Sequence, residues 1–140
     1  MAFEDYKKQA ADDLRNLPYL KSRAEILKRQ MNMLLEMDDE SVKTFNRVFP
    51  DDNNDCSSRL AALEKEYNIV NFNILCIENA LNSLTAADRD ILISFYVARQ
   101  RNTVNNLARK TYTDRSCLYR RAQRALEKYI YTCYGVQKNT

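Results

Sequence analysis

Apolar residues recur every three or four positions through most of the first 84 residues, which is the spacing of one face of an α-helix. The longest stripe comprises Leu60, Leu63, Tyr67, Val70, Ile74, Ile77, Leu81 and Leu84. A second stripe comprises Leu20, Ala24, Leu27, Met31 and Leu34. Both alternate spacings of three and four, as heptad repeats do. The pattern predicts two long helices, over about residues 58–83 and 18–40.

The two stripes predict an antiparallel helical hairpin with coiled-coil-like packing. A helix over residues 58–83 would be roughly 40 Å long and would need a partner helix. Residues 49–58 are rich in Pro, Asp, Asn and Ser, a composition typical of a connecting loop. Pairing within the chain is the commonest outcome for two such stripes, and a homodimer or a docking surface for another protein are the alternatives. Further apolar residues off the stripe are expected to contact the first helix or another subunit: Ile69, Phe72, Leu75 and Cys76.

A shorter amphipathic helix is predicted ahead of the hairpin. Its apolar positions are Phe3, Tyr6, Ala10, Leu14 and Leu17. We expect this helix to end near Pro18, because Pro suits the first turn of the helix that follows. Residues 41–48 show only a weak helical pattern. They either extend a helix or pack Phe45 and Val48 back on the hairpin.

A new module is predicted to begin at residue 85. Thr85 precedes Asp88 by three residues, which approximates a capping box and predicts a helix start. That helix would end near Gln100 and bury Ile91, Leu92, Phe95 and Tyr96. Thr103 is the predicted cap of a next helix of about two turns, whose buried positions would be Val104, Leu107 and Ala108.

The last predicted helix has one apolar and one basic face. Asp114 is a favourable N-cap for it. The apolar stripe comprises Leu118, Ala122, Ala125 and Tyr129. The opposite face carries Ser116, Arg120, Gln123 and Arg124, with Arg115 and Tyr119 beside it. Two helices joined by a three- or four-residue turn, with hydrogen-bond donors at the start of the second, match the width of the DNA major groove.

Basic charge is concentrated in the same region. Residues 102–140 contain eight Lys or Arg against two Asp or Glu, whereas residues 1–101 contain fourteen against seventeen. The net charge of the whole chain is only +3. An arginine-rich helix face is often merely solvated, but this asymmetry is the electrostatic footprint of a nucleic-acid binder.

The stretch from about residue 81 to residue 128 resembles region four of bacterial sigma factors. The similarity is carried by Leu81-Asn-Ser-Leu84, Asp88-Arg-Asp-Ile-Leu92, Phe95-Tyr96, Val104, Leu107-Ala108 and Leu118-Tyr-Arg-Arg-Ala-Gln-Arg-Ala-Leu126. The whole arrangement is similar to phage-encoded regulators of the ArpU/RinA type, in which helices precede a sigma-like helix-turn-helix. The resemblance implies binding of promoter or operator DNA by a protein that acts with bacterial RNA polymerase.

The resemblance also assigns residues. It implies base contacts by Arg115, Ser116, Tyr119 and Arg120. Phosphate contacts are expected from Thr103, Arg109, Lys110, Thr113 and Arg124. Two positions depart from the family pattern. Tyr112 stands where the turn usually carries Gly, so we expect an unusual backbone conformation there. Asn105 and Asn106 replace the acidic residues that often open the first helix, which removes a like-charge conflict with phosphate.

Enzymatic chemistry is not supported by any motif. The chain has no His, no glycine-rich phosphate loop and no nucleophile motif. Cys56, Cys76, Cys117 and Cys133 do not have zinc-ligand spacing, and we interpret them as reduced thiols. No signal peptide or membrane span is evident. We therefore expect no metal, no cofactor and no membrane contact.

The sequence thus predicts an all-α DNA-binding transcription regulator of the bacterial cytoplasm, concerned with phage or prophage late genes. Residues 1–84 would form the helical hairpin and residues 85–140 the helix-turn-helix module. One alternative is a module that binds RNA polymerase without contacting DNA. The other is a DNA-packaging adaptor similar to small terminase subunits, which also join a DNA-binding motif to helical oligomerisation segments.

Overall fold

The computed structural model describes residues 1–48 and 55–138, and every regular element in those ranges is helical. The elements are α1 (Phe3–Leu35), α2 (Asp39–Val48), α3 (Cys56–Asn82), α4 (Ala86–Leu92), a π-helical segment (Ile93–Val97), α5 (Thr103–Thr111) and α6 (Arg115–Tyr134). The predicted all-α class is confirmed. Residues 49–54 of the expected connecting loop lie outside the described residues.

The chain divides into two compact units. Unit 1 comprises residues 1–18 and 75–140, and unit 2 comprises residues 19–74. The predicted boundary between residues 84 and 85 stays a prediction.

The heptad stripes are the buried sides of α1 and α3. In α3, Val70, Ile74, Ile77 and Leu81 are buried, and the other stripe positions of the helix are half-buried, as is Leu84 two residues beyond its end. In α1, Leu27 is fully buried and the remaining stripe residues are half-buried. Ala10, Leu14 and Leu17 are buried as well. The period of the apolar residues therefore identified the correct face of each helix.

Pro18 lies inside α1, so the prediction of two separate helices meeting there is wrong. Proline removes one backbone hydrogen bond and clashes with the preceding turn, at a cost of about 3 kcal/mol. The apolar spacing nevertheless continues from Leu14 and Leu17 to Leu20 and Ala24 without a missing turn. Burial on both sides of Pro18 offsets the lost hydrogen bond, and the helix continues.

The second half of α1 ends earlier than predicted. It stops at Leu35, and α2 begins at Asp39 as a separate helix. The Ser41 backbone N–H donates to Asp38 Oδ1 at 2.7 Å, which satisfies a free amide in the first turn of α2. In α2, Phe45 is half-buried and Val48 is exposed. The Asp38 cap thus ends the expected helix over residues 18–40 and begins another.

The core of unit 1 is built largely on α6. Its buried residues are Leu118, Ala122, Ala125, Leu126, Tyr129 and Ile130, which confirms the four predicted positions and adds two. They pack against α4, where Ile91 and Leu92 are buried, and against α5. Phe95 in the π-helical segment is 2% exposed. Helix α6 is therefore held along its apolar side, and its opposite side faces solvent.

Residues 85–97 confirm the predicted helix start and correct its end. Thr85 Oγ1 accepts a hydrogen bond from the Asp88 backbone N–H at 3.3 Å, as the capping pattern predicted. Helix α4 then widens into the π-helical segment and stops at Val97, three residues before the expected end at Gln100. Tyr96 is only half-buried, and the Arg15 guanidinium lies over its ring, 5.4 Å from the centroid. Burial raises the pKa of the Tyr96 hydroxyl, and the charges of Arg15 and Arg99 partly oppose that rise.

Candidate nucleic-acid interface

The turn between α5 and α6 depends on a strained tyrosine. Tyr112 has φ 52° and ψ 41°, the left-handed conformation, and it is the one non-glycine residue with positive φ in the described residues. Its N–H and that of Thr113 both bond to the Ala108 carbonyl, which closes the C-terminus of α5. The expectation of an unusual conformation at Tyr112 is confirmed. The tyrosine side chain itself is 97% exposed.

The N-terminal caps of α5 and α6 are only partly as predicted. Asn102, not Thr103, occupies the N-cap position of α5. Thr103 Oγ1 instead accepts a hydrogen bond from the Gln100 backbone N–H at 2.7 Å. Asp114 does occupy the N-cap position of α6, but its side chain makes no capping hydrogen bond. The first turn of α6 contains no acidic residue. Its free N–H groups and the positive end of the helix dipole therefore favour an anion at this end.

Six basic side chains on α5 and α6 form a cluster that we call the basic cluster. Its members are Arg109, Lys110, Arg115, Arg120, Arg121 and Arg124, and all six are exposed. Within the described part of the chain, none of them forms a salt bridge. Between Arg115 and Leu126, α6 contains no acidic residue at all. Within the described residues the charges of the basic cluster are therefore not neutralised by direct ion pairs.

Elsewhere in the chain basic residues are interspersed with acidic ones, and several of them form ion pairs. Lys128, one turn beyond Arg124 on α6, donates to Asp88 Oδ2 at 2.9 Å. Arg23 binds Glu66 Oε1 at 2.7 Å, and shorter-range pairs such as Lys7 with Glu4 occur along α1. Exposed ion pairs contribute little to stability. The contrast matters for function, because unpaired cations in one region create a positive field that attracts an anionic partner.

A groove beside α6 brings part of the basic cluster together. It has a volume of about 480 Å³ and lies between α4, α5 and α6. Ile91, Leu107 and Leu118 contribute apolar surface, and Lys110, Arg121 and Arg124 line it as cations. Asp88, paired with Lys128, and Asp90 also line the groove. Lys110 and Arg124 were predicted to bind phosphate. Sequence reasoning assigned no role to Arg121, although it precedes Arg124 by three residues and is therefore its neighbour on α6.

Three of the predicted contact residues already interact with the protein. The Tyr119 ring meets Phe95 edge-on, with centroids 5.4 Å apart, and its hydroxyl accepts from Arg99 Nη2 at 3.5 Å. It is 40% exposed, so one edge of the ring stays accessible. The Thr113 hydroxyl donates to the Thr111 carbonyl at 3.1 Å, and Thr103 accepts from Gln100 as described above. Ser116 is exposed. Arginine and serine side chains are therefore the most available donors on this surface.

The cysteines and acidic residues of the described ranges do not form a metal site. All four cysteines are free thiols, and no group of three or more His, Cys, Asp or Glu side chains in those ranges could hold a metal ion. No described helix combines the length and the apolar character needed to cross a membrane.

Comparison with known proteins adds no assignment. No protein-family model, curated protein or solved structure matches the chain. The chemistry of the interface is therefore argued from its own residues.

Proposed function

We propose that the protein binds double-stranded DNA and regulates transcription. In this proposal α5 and α6 are a sigma-region-four-like helix-turn-helix, with α6 in the major groove, and α1 and α3 form the helical hairpin. The observation that supports it most strongly is the basic cluster, whose six exposed cations have no acidic partner in the described residues. Over residues 1–101 basic and acidic residues are mixed, fourteen against seventeen, whereas Asp114 and Glu127 are the only acidic residues in the sequence from 102 to 140.

The geometry of α6 supports separate roles for its residues. Arg115, Ser116 and Arg120 lie within the first two turns, the part of a recognition helix that contacts base edges. Arginine pairs with guanine through two parallel hydrogen bonds, each good pair discriminating by about 1–3 kcal/mol. Arg121 and Arg124 line the groove at the side of the helix, where backbone phosphates would lie. Tyr119, held by Phe95 and Arg99, acts mainly by fixing the position of this surface.

The N-terminus of α6 adds to the same anion preference. The N–H groups of its first turn have no capping side chain, and a DNA phosphate at that position would accept from them. Asn105 and Asn106 at the start of α5 place no negative charge against the DNA backbone. The local charge is thus positive on both helices of the proposed motif.

Salt dependence tests this proposal. Binding of the full chain to a labelled random-sequence duplex, followed by fluorescence anisotropy, should weaken linearly on a log–log plot of affinity against salt. With roughly four or five phosphates contacted, the slope should be about −3 to −5. A slope near zero, or no binding at low salt, would contradict DNA binding and favour the alternative in which the module contacts polymerase alone. If the chain binds DNA, selection of bound duplexes from a random-sequence pool would define its preferred site.

A further inference from the structure

Unit 2 presents large apolar side chains that no described residue covers. Five of them are between 44% and 70% exposed: Tyr19, Ile26, Met33, Ile69 and Phe72. The first three recur every seven residues along α1, which places them on one side of that helix. Ile69 and Phe72 are three residues apart and are neighbours on α3. We call these five residues the apolar face.

An ion pair shows that the two stripes adjoin. Arg23 follows Tyr19 by four residues and precedes Ile26 by three, so it lies in the α1 stripe. Glu66 precedes Ile69 by three residues and lies in the α3 stripe. Arg23 Nε and Nη2 donate to Glu66 Oε1 at 3.0 Å and 2.7 Å. The stripes on the two helices therefore flank one salt bridge and form a single surface.

We propose that the apolar face is a homodimer interface, with a second copy of this chain as its occupant. The first argument is charge. Arg23 and Glu66 neutralise each other within the face, so this pair brings no like-charge repulsion when two identical faces meet, and the exposed Lys65, four residues before Ile69, adds a single positive charge per protomer. Because the net charge of the face is small, it offers little electrostatic attraction to a strongly charged partner. Ile69 and Phe72 are 55% and 66% exposed, so both keep enough apolar surface for a contact with another subunit.

The second argument is area. With aromatic side chains of roughly 150–250 Å² and aliphatic ones somewhat smaller, the five exposed fractions amount to roughly 500 Å² per protomer. The polar residues between them raise this area toward about 800 Å² per partner, which is the size of a standard specific interface. An apolar patch of this size is at the upper end for a monomer in water. Its three α1 members also have the heptad spacing with which helices associate.

Sedimentation of the full chain tests the proposal. Over about 1 to 100 µM, where interfaces of this size associate, the wild-type protein should shift from monomer to dimer. Met33→Glu and Phe72→Glu should each raise the dimer dissociation constant at least about tenfold, because each would bury a carboxylate at the interface. Leu35→Glu is the matched control. It lies on the same helix and is 64% exposed against 69% for Met33, but it points about 200° away.

Two results would overturn the proposal. One is a wild-type protein that stays monomeric at every concentration. The other is equal dimerisation of wild type, Met33→Glu and Phe72→Glu. All of the substituted side chains are exposed, and far-UV circular dichroism would show that each variant keeps its helices. The dimer does not depend on DNA binding, so the DNA measurement on the same variants separates failure of this proposal from failure of the proposed function.

Discussion

At the scale of single residues, Tyr112 is the most unusual position in the molecule. Its left-handed conformation closes α5 and sets the angle at which α6 leaves the turn. A Cβ atom in that conformation costs about 1–2 kcal/mol, and the exposed tyrosine ring gains little packing in return. The strain is therefore carried by the turn that positions the basic cluster.

Replacing Tyr112 with glycine should relieve this strain. After allowance for the greater backbone freedom of glycine in the unfolded chain, Tyr112→Gly should raise the free energy of unfolding by about 0.5–1 kcal/mol. Urea denaturation followed by circular dichroism would measure the difference. Asn106→Gly, inside α5, is the control and should lower stability, since glycine there brings only the entropic cost. A Tyr112→Gly variant less stable than wild type would show that the ring makes contacts that matter.

At the scale of elements, helix starts depend on single capping side chains. Thr85 Oγ1 accepts the Asp88 N–H at the start of α4, and α4 packs on α6. Thr85→Ala should lower the free energy of unfolding by about 1 kcal/mol, whereas Thr85→Ser keeps the acceptor oxygen and should cost much less. Thermal or urea unfolding of the two variants provides the comparison. Equal losses in both would indicate that the Thr85 methyl group, and not its hydroxyl, stabilises the helix start.

Two further caps make α2 and α3 sensitive to acid. Asp38 Oδ1 accepts the Ser41 N–H and Asp55 Oδ1 accepts the Ser58 N–H, each at 2.7 Å. These backbone hydrogen bonds, with smaller contributions from the serine hydroxyls, lower the pKa of each carboxyl below 3.8. A lowered folded-state pKa means that the stabilisation is complete above the unfolded pKa and is lost as pH falls through the folded value. Both helix starts should therefore fray below about pH 4.

Amide exchange of Ser41 and Ser58 between neutral and acidic pH would measure this fraying. Protection of both amides should fall as the carboxylates protonate, after allowance for the intrinsic exchange rate. Asp38→Asn keeps an acceptor oxygen but cannot titrate, so the Ser41 amide in that variant should lose its extra pH dependence. The Ser58 amide serves as an internal reference in the same spectrum. Identical pH profiles for wild type and Asp38→Asn at Ser41 would refute the role given to the Asp38 carboxylate.

The elements also show what could be predicted from sequence. The apolar period located the buried side of every long helix, because burial imposes that period directly. Pro18 and the π-helical segment at residues 93–97 were mispredicted or missed, since both depend on tertiary packing that overrides local preference. Tyr112 could be anticipated because the turn geometry requires positive φ whatever residue is present. The attachment of Tyr119 to Phe95 and Arg99 could not, because those residues lie twenty or more positions away in sequence.

At the scale of the whole molecule, the charge distribution is the feature that indicates function. The sequence showed that residues 102–140 are basic, but it could not show which cations would be neutralised by acidic partners. In the folded chain Lys128 and Lys138 are paired, whereas the basic cluster is not. This separation gives the molecule one region suited to an anionic polymer. The apolar face in unit 2 is suited instead to another copy of the protein.

The most direct test of DNA binding through α6 compares two charge-matched variants. One carries Arg115→Ala, Arg120→Ala and Arg124→Ala; the other carries Lys28→Ala, Arg29→Ala and Arg47→Ala, three exposed basic residues of unit 2. Both lose three positive charges. Anisotropy titrations at moderate salt should show at least about a hundredfold loss of affinity for the first variant, from lost phosphate and base contacts, and little change for the second. Equal affinities of the two variants would contradict the assignment of α6 as the DNA-binding helix.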